Sequence, residues 1–299
     1  MERKTKKAKQ GTTDVSDKAA GTPQAPTMEL QTRIDFLENE IEQLRFESFY
    51  RQARQAPHDP AALTLAVDRY ARDTGDGWLA VLTNGTRTSI PSGLKVAVSS
   101  TANGRDYGTI KEGVLNGTSF DVTAGNLQGT YRRVSDLKIK VKPHAGSPVV
   151  IDGISYDLDL SISYKESGSA RVAGPFPATT DPSNPLSYGV HDLEIADFPH
   201  PAGARYGAFG TVWFRIGHSG DRYLHPGRIS LGCMTCAPRN WPEIYQIVNP
   251  GRADSRSVGT LEFTQAVVLS RAKKTPQSGG KKKQTSKERE SRGTISVEA

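Results

Sequence analysis

The segment from His218 to Cys233 combines a histidine, a cysteine and several glycines, residue types that can together carry out acyl transfer. A cysteine attacks a carbonyl only as the thiolate, and a nearby imidazole is the usual means of forming one near neutral pH. Gly232, directly before Cys233, permits a tight turn and leaves room for a substrate to approach the backbone. The segment therefore predicts Cys233 as a nucleophile and His218 as its general base.

His218 followed by the Ser-Leu-Gly-Cys turn at 230–233 resembles the active-site motif of the L,D-transpeptidases. These are bacterial cysteine enzymes that act on the stem peptides of peptidoglycan. The resemblance implies a mainly β fold with short helices, an L,D-transpeptidase-like β-sandwich catalytic domain. It also implies a reaction that needs no cofactor and no metal.

Two flanking segments are similar to the same family. Pro185–Ile195 looks like its Pro-x-Gly-x-Tyr strand, and Trp241–Val248 looks like the helix that follows the nucleophile. The resemblance covers residues 130–270, which we expect to form the catalytic domain.

The resemblance also implies roles for the residues of the turn. Cys233 attacks the diamino-acid carbonyl at position three of a stem peptide, the terminal D-alanine leaves, and an amine, a free D-amino acid or water resolves the thioester. Backbone N–H groups around Gly232 and Cys233 hold the oxyanion. Ser230 organises the turn through its hydroxyl. Cross-linking, D-amino-acid exchange and hydrolysis all remain open.

The chain departs from the family motif in two ways. The family has a histidine two residues before the cysteine, where this chain has Leu231, and the 11 residues between His218 and Ser230 form a short spacer. His225 lies inside that spacer. It is the alternative base, or a substrate-binding residue in place of the missing imidazole.

Arginines around the motif are candidates for binding a stem peptide, which presents carboxylates. The planar guanidinium fork suits bidentate carboxylate binding. Arg215, Arg222 and Arg228 are the candidates, and Arg228, five residues before the cysteine, is the best placed. Trp213 alternates with apolar residues and is a further candidate for the cleft.

Two other functions fit the same residues. Cys233 and Cys236 form a CxxC that could bind zinc together with His218 and His225. Alternatively, the chain is a non-catalytic module that binds the cell wall.

The positive charge of the chain is concentrated in its ends. Residues 1–27 hold six basic and three acidic residues, and residues 271–299 hold nine and three. Removing both from the totals of 39 and 32 leaves 24 basic and 26 acidic residues between them. We expect both ends to be disordered basic tails. The near-neutral middle argues against a specific nucleic-acid partner.

The chain contains no apolar stretch of about 20 residues, so we expect no transmembrane helix. No apolar run follows the charged N-terminus, so we also expect no signal peptide. A bacterial wall enzyme made in the cytoplasm in this way would reach the periplasm by non-standard export, for example as a secreted antibacterial effector.

A helical, coiled-coil-like segment is expected over 28–74. Apolar residues at heptad spacing predict its first helix, which either pairs with another chain, for example as a homodimer, or docks on the next helix. These residues are Leu30, Ile34, Leu37, Ile41 and Leu44. A second helix is expected after Asp59-Pro60, with Leu63, Val67 and Tyr70 on its apolar face.

From residue 75 onward the pattern is that of β-strands separated by turns. Residues 75–129 form a β-rich segment of unknown role. In the catalytic domain, apolar alternation predicts strands over Ile154–Tyr164, 137–141, 188–195 and 258–263. A short helix is expected after Asn240, with Asn240 as its N-cap and Glu243 completing a capping box.

Overall fold

A computed structural model of the chain describes residues 66–264, residues 266 and 267, and the isolated positions 33, 37, 40, 41 and 44. The predicted tails at 1–27 and 271–299 lie outside the described residues. So do most of the predicted heptad over 30–44 and its pairing. The described part of the chain is mainly β, which confirms the predicted fold class at that level.

The first sheet has seven strands in the order β3-β2-β6-β5-β4-β1-β7, and its pairings are antiparallel. The strands are β1 Val67–Ala71, β2 Trp78–Thr83, β3 Thr86–Pro91, β4 Lys95–Ala102, β5 Arg105–Ile110, β6 Ser119–Thr123 and β7 Leu127–Gln128. It corresponds to the β-rich segment expected over 75–129, extended at its start by β1.

Strand β1 corrects the predicted second helix. Val67 and Tyr70 were expected on a helical face, but they pair with Val98 and Lys95 of β4. A β-branched residue and an aromatic residue suit a pleated sheet, and the ladder with β4 outweighs a short helical spacing of apolar residues.

The second sheet has eight strands in the order β13-β17-β8-β11-β12-β16-β15-β14. Its strands are β8 Val134–Pro143, β11 Leu158–Glu166, β12 Ser169–Thr179, β13 Gly189–Glu194, β14 Phe214–Arg215, β15 Tyr223–Pro226, β16 Met234–Cys236 and β17 Ser257–Phe263. Strands β9 Val149–Ile151 and β10 Ile154–Tyr156 form a separate hairpin. The pairs β8–β17 and β15–β16 are parallel.

The two edges of this second sheet meet. Leu193 of β13 forms a bridge with Ile216, just after β14, and Gly217 N–H donates to the Asp192 carbonyl at 2.7 Å. The sheet is therefore closed like a barrel, and the chain leaves the closure point directly into His218.

The strand predictions agree with the structure in type and differ in detail. The alternation over 137–141 lies in β8, where Leu137, Ile139 and Val141 are buried. The single strand predicted over Ile154–Tyr164 is two strands, because Asp157 separates β10 from β11.

The helix α1, Trp241–Val248, forms where it was predicted. Its predicted capping box is wrong. Asn240 ends a 3₁₀ turn, Pro238–Asn240, has α-helical backbone angles, and makes no side-chain capping bond. The 3₁₀ turn already leads the backbone into the helix, so Asn240 does not adopt the extended conformation that a side-chain cap requires.

One hydrophobic core is shared by both sheets, although the sequence suggested two separate units. It includes Trp78 and Ile90 from the first sheet and Ile139 and Leu160 from the second. Hydrogen bonds cross the same boundary: Trp78 Nε1 donates to Thr211 Oγ1 at 3.1 Å. The first sheet thus supports the loops and the helix that surround the candidate site.

No helix in the described part of the chain has the length and hydropathy needed to span a membrane.

Candidate functional site

Cys233 directly precedes β16, at the end of a turn that the Ser230 hydroxyl closes. Ser230 Oγ donates to the Cys233 carbonyl at 2.6 Å and accepts from Gly232 N–H at 3.1 Å. Gly232 has a φ of +113°, a backbone conformation that residues other than glycine rarely adopt. The sequence Ser-x-Gly-Cys therefore forms a compact, internally bonded turn.

The far end of the same loop is fixed by a buried tyrosine. Tyr156 of β10 donates its hydroxyl to the Gly227 carbonyl at 2.9 Å. Burial raises the pKa of Tyr156 to about 12, so this donor keeps its proton throughout the neutral range. The loop between β15 and β16 is thus held near both ends.

The Cys233 thiol is half-buried and lies 3.6 Å from the Asp221 carbonyl, to which it can donate. A partly exposed thiol at the end of a rigid turn has the access that a nucleophile needs.

His225 lies on the strand next to the cysteine. It is paired with Thr235 in the parallel β15–β16 ladder, and its ring stacks on Trp213 at 4.3 Å. The Nδ1 N–H donates to the Pro226 carbonyl at 2.9 Å, which leaves Nε2 as an acceptor, 3.3 Å from the Thr235 hydroxyl. Burial lowers the pKa of His225 to about 4, so the ring is neutral at pH 7.

His218 lies between two carboxylates. Its Nδ1 is 2.7 Å from Glu194 Oε1, and its Nε2 is 2.8 Å from Asp192 Oδ2. The hydrogen bond to Glu194 raises the pKa of His218, with a smaller contribution from Asp192. With a carboxylate oxygen against each ring nitrogen, neither nitrogen of His218 has a lone pair directed at Cys233. The geometry therefore disfavours the predicted role of His218 as the general base.

Arg215 is buried, which corrects its predicted role in substrate binding. The side chain is 2% exposed, and its Nη2 donates to Asp197 Oδ2 at 3.0 Å. Its Nε lies 3.6 Å from Glu194 Oε2. Closure of the sheet buries both residues of β14, so the Arg215 guanidinium cannot reach an open cleft.

Trp213 also packs inside the protein and does not line an open cleft. Its ring lies between His200, at 4.2 Å, and His225, and its Nε1 donates to the Gly210 carbonyl at 2.8 Å. The Trp213 ring therefore packs against one face of the His225 ring.

The two remaining arginines differ. Arg222 donates to backbone and side-chain oxygens of Asn184 and to the Leu231 carbonyl. Arg228 is exposed, and no ion pair of its guanidinium is found within residues 66–264. Of the three predicted arginines, Arg228 is the one whose position leaves it available to a carboxylate ligand.

The CxxC does not assemble a metal site. The Cys236 thiol is fully buried in β16, and burial raises its pKa far above the ordinary value. Within residues 66–264, no three side chains of His, Cys, Asp or Glu are grouped closely enough to hold a metal ion. The geometry therefore does not support the zinc arrangement of Cys233, Cys236, His218 and His225.

Sequence reasoning missed the buried carboxylates behind the site. Asp197 accepts from the Tyr223 hydroxyl, the Phe198 N–H and His200 as well as from Arg215. Burial by itself would raise the pKa of Asp197, but the His200 hydrogen bond and the nearby positive charges hold it below the ordinary value. The alternation of Asp192 and Glu194 along a predicted strand was a signal that could have identified one carboxylate pair.

Comparison with known proteins provides no assignment. No family model, curated protein or solved structure matches the chain.

Proposed function

We propose that this chain is a cysteine acyltransferase of the L,D-transpeptidase type that acts on peptidoglycan stem peptides. The observation that carries the proposal is the position of Cys233, a half-buried thiol on a hydroxyl-closed turn beside the strand of a neutral histidine. We also propose that the chain has the β-sandwich topology of that family. The mainly β fold of the described residues supports this proposal.

His225 is the base in this proposal. Side chains alternate along a strand, so we expect Cys233, two residues before Thr235, to project from the same side of the sheet as Thr235 and His225. Strand spacing and rise then bring the Cα atoms of Cys233 and His225 within about 8 Å, a distance that the two side chains can bridge. The Nε2 of the neutral ring faces the Thr235 hydroxyl at 3.3 Å, and that hydroxyl has a second acceptor in the Ile229 carbonyl at 3.4 Å. With the Thr235 hydroxyl turned to Ile229, the Nε2 lone pair is the acceptor for the thiol proton.

The reaction balances with these two residues alone. The thiol proton passes to His225 as the sulfur–carbon bond forms at the acyl carbon. The carbon–nitrogen bond to D-alanine then breaks, and the departing amine takes the proton from the imidazolium. An acceptor amine or water attacks the thioester and gives a proton to His225, which returns it to the leaving sulfur. Positioned general base catalysis contributes about 10²–10⁴-fold to such a reaction.

Arg228 is the proposed contact for a substrate carboxylate. It is exposed, lies on the loop that ends in Cys233, and adjoins the exposed apolar residues Ile229 and Leu231. An exposed guanidinium close in sequence to two exposed apolar side chains suits a peptide that presents both a carboxylate and aliphatic groups.

The deciding experiment incubates the purified protein with a disaccharide tetrapeptide and records intact mass and products. Wild type is expected to show a thioester adduct and released D-alanine, and Cys233→Ser is expected to show neither. Cys236→Ala is the matched control, because that buried thiol takes no part in the proposed chemistry. Binding without any adduct or product in the wild type would replace this proposal with the non-catalytic wall-binding module.

The site of action is part of the proposal. Because peptidoglycan lies outside the cytoplasmic membrane, we propose that the chain acts in the periplasm after non-standard export, as an antibacterial effector would. Expression with a periplasmic leader is expected to arrest growth for wild type and not for Cys233→Ser, while cytoplasmic expression is harmless. A harmless periplasmic wild type with measured activity in vitro would overturn the effector role and leave the chemistry standing.

A further inference from the structure

Arg222 ties together two loops that no strand pairing joins. Its Nη1 donates to the Asn184 carbonyl at 2.9 Å and to the Leu231 carbonyl at 3.2 Å. Its Nη2 donates to Asn184 Oδ1 at 2.6 Å. One guanidinium therefore bridges the loop between β12 and β13 and the turn that ends in Cys233.

The turn and the guanidinium are built around each other. A Cβ placed on Gly232 would overlap the Arg222 guanidinium and would lie 2.6 Å from the Asn184 carbonyl. Only glycine leaves room for the guanidinium at this position. The φ of +113° at Gly232 also favours glycine. The glycine before the nucleophile thus has a steric partner as well as a backbone role.

The Asn184 side of the bridge has support of its own. Asn184 N–H donates to the Asp181 carbonyl at 3.3 Å, and Ser183 N–H donates to Asp181 Oδ1 at 2.8 Å. The Cys233 side has the two Ser230 bonds but no strand pairing before Met234. Arg222 therefore connects the nucleophile turn to a braced loop.

We propose that Arg222 is a positioning residue for the Cys233 nucleophile. It holds the turn by its hydrogen bond to the Leu231 carbonyl and by packing against the backbone of Gly232. This assignment rests on the proposed function and changes the predicted role of Arg222, since both of its terminal nitrogens are engaged by the protein. Two nitrogens and three acceptors require the planar fork of arginine. Lysine has one nitrogen on a flexible stem and cannot reproduce this arrangement.

The test combines hydrogen–deuterium exchange with steady-state kinetics. Arg222→Ala is expected to lose exchange protection together in residues 181–187 and 229–234, while the strand peptides keep theirs. Misplacement of a reacting atom by about 1 Å can cost about 100-fold, so kcat for the tetrapeptide is expected to fall about 10- to 100-fold. KM is expected to change little. Arg222→Lys is expected to stay closer to Arg222→Ala than to wild type.

Asn184→Ala is the second variant and removes one acceptor while leaving the arginine in place. It is expected to show a smaller change of the same kind. Arg105→Ala, which breaks the partly buried ion pair with Asp121 in the first sheet, is the matched control and is expected to leave both loops and kcat unchanged.

Unchanged exchange in both loops together with an unchanged kcat in Arg222→Ala would overturn the proposal. A rise in KM with kcat retained would also overturn it and restore substrate binding by Arg222. If the wild type proves inactive, the proposed function fails, and the exchange data alone still decide whether Arg222 holds the two loops together.

Discussion

The buried, neutral His225 makes a specific prediction about stability and pH. Its pKa is lowered from 6.5 to about 4 in the folded protein. Between these values the unfolded chain binds a proton that the folded chain does not. Stability is therefore complete above about pH 6.5 and is lost as the pH falls toward 4. One pKa unit is worth about 1.4 kcal/mol, so this residue costs about 2 kcal/mol at pH 5 and about 3 kcal/mol at the lower limit.

Urea unfolding followed by tryptophan fluorescence at about pH 7 and pH 5 measures this loss. Other groups also titrate in this range, so the comparison is made against His225→Asn, which keeps a donor for the Pro226 carbonyl and does not titrate. The stability difference between wild type and His225→Asn is expected to shrink by about 2 kcal/mol from pH 7 to pH 5. His191→Asn, at a histidine whose ring bonds only the Ser187 carbonyl, is the control for removing a surface imidazole.

A constant difference between wild type and His225→Asn across that range would refute the reasoning. It would mean that His225 is protonated in the folded protein at pH 5. Its ring would then not be the desolvated acceptor on which the proposed chemistry depends.

Three further predictions follow from named contacts. Gly232→Ala forces a methyl group into the space of the Arg222 guanidinium. It is expected to reduce kcat/KM by about 100-fold and to lower the free energy of unfolding in urea by about 1–3 kcal/mol. Near-wild-type turnover would contradict this prediction. Arg215→Met removes the buried guanidinium that lies against both Asp197 and Glu194, which keep their other partners. It is expected to lower the free energy of unfolding by about 3–5 kcal/mol, a loss that should diminish when the carboxylates are protonated at low pH. Arg228→Ala removes the exposed guanidinium and is expected to raise KM about tenfold with kcat retained, as loss of one charge-assisted hydrogen bond does; an unchanged KM would dismiss it as a substrate contact.

The local elements could be predicted because their signals are local. Leu137, Ile139 and Val141 alternate with lysines, and the period of two is enough to place a half-buried strand. The helix after the cysteine has its own apolar face and forms as expected. The first strand could not be predicted from Val67 and Tyr70 alone, because its stability comes from pairing with β4, which lies nearly thirty residues further along.

The candidate site was predictable in residue type but not in contact. The sequence singles out Cys233, His218 and His225, but it does not show which of the two imidazoles faces carboxylates. That is decided by the closure of the sheet, which brings Asp192 and Glu194 to His218. Similarly, the spacing of the arginines contains no information about Asn184, which engages Arg222 across 38 residues of sequence.

The position of β17 sets an order of assembly for the site. This strand pairs with β13 on one side and with β8 on the other, although it is the last strand of the described chain. During synthesis, β8 and β13 leave the ribosome before residues 257–263. The edges of β8 and β13 that later pair with β17 remain unpaired until those residues emerge. The closed sheet cannot form before then, so a partly synthesised chain lacks the complete surroundings of Cys233.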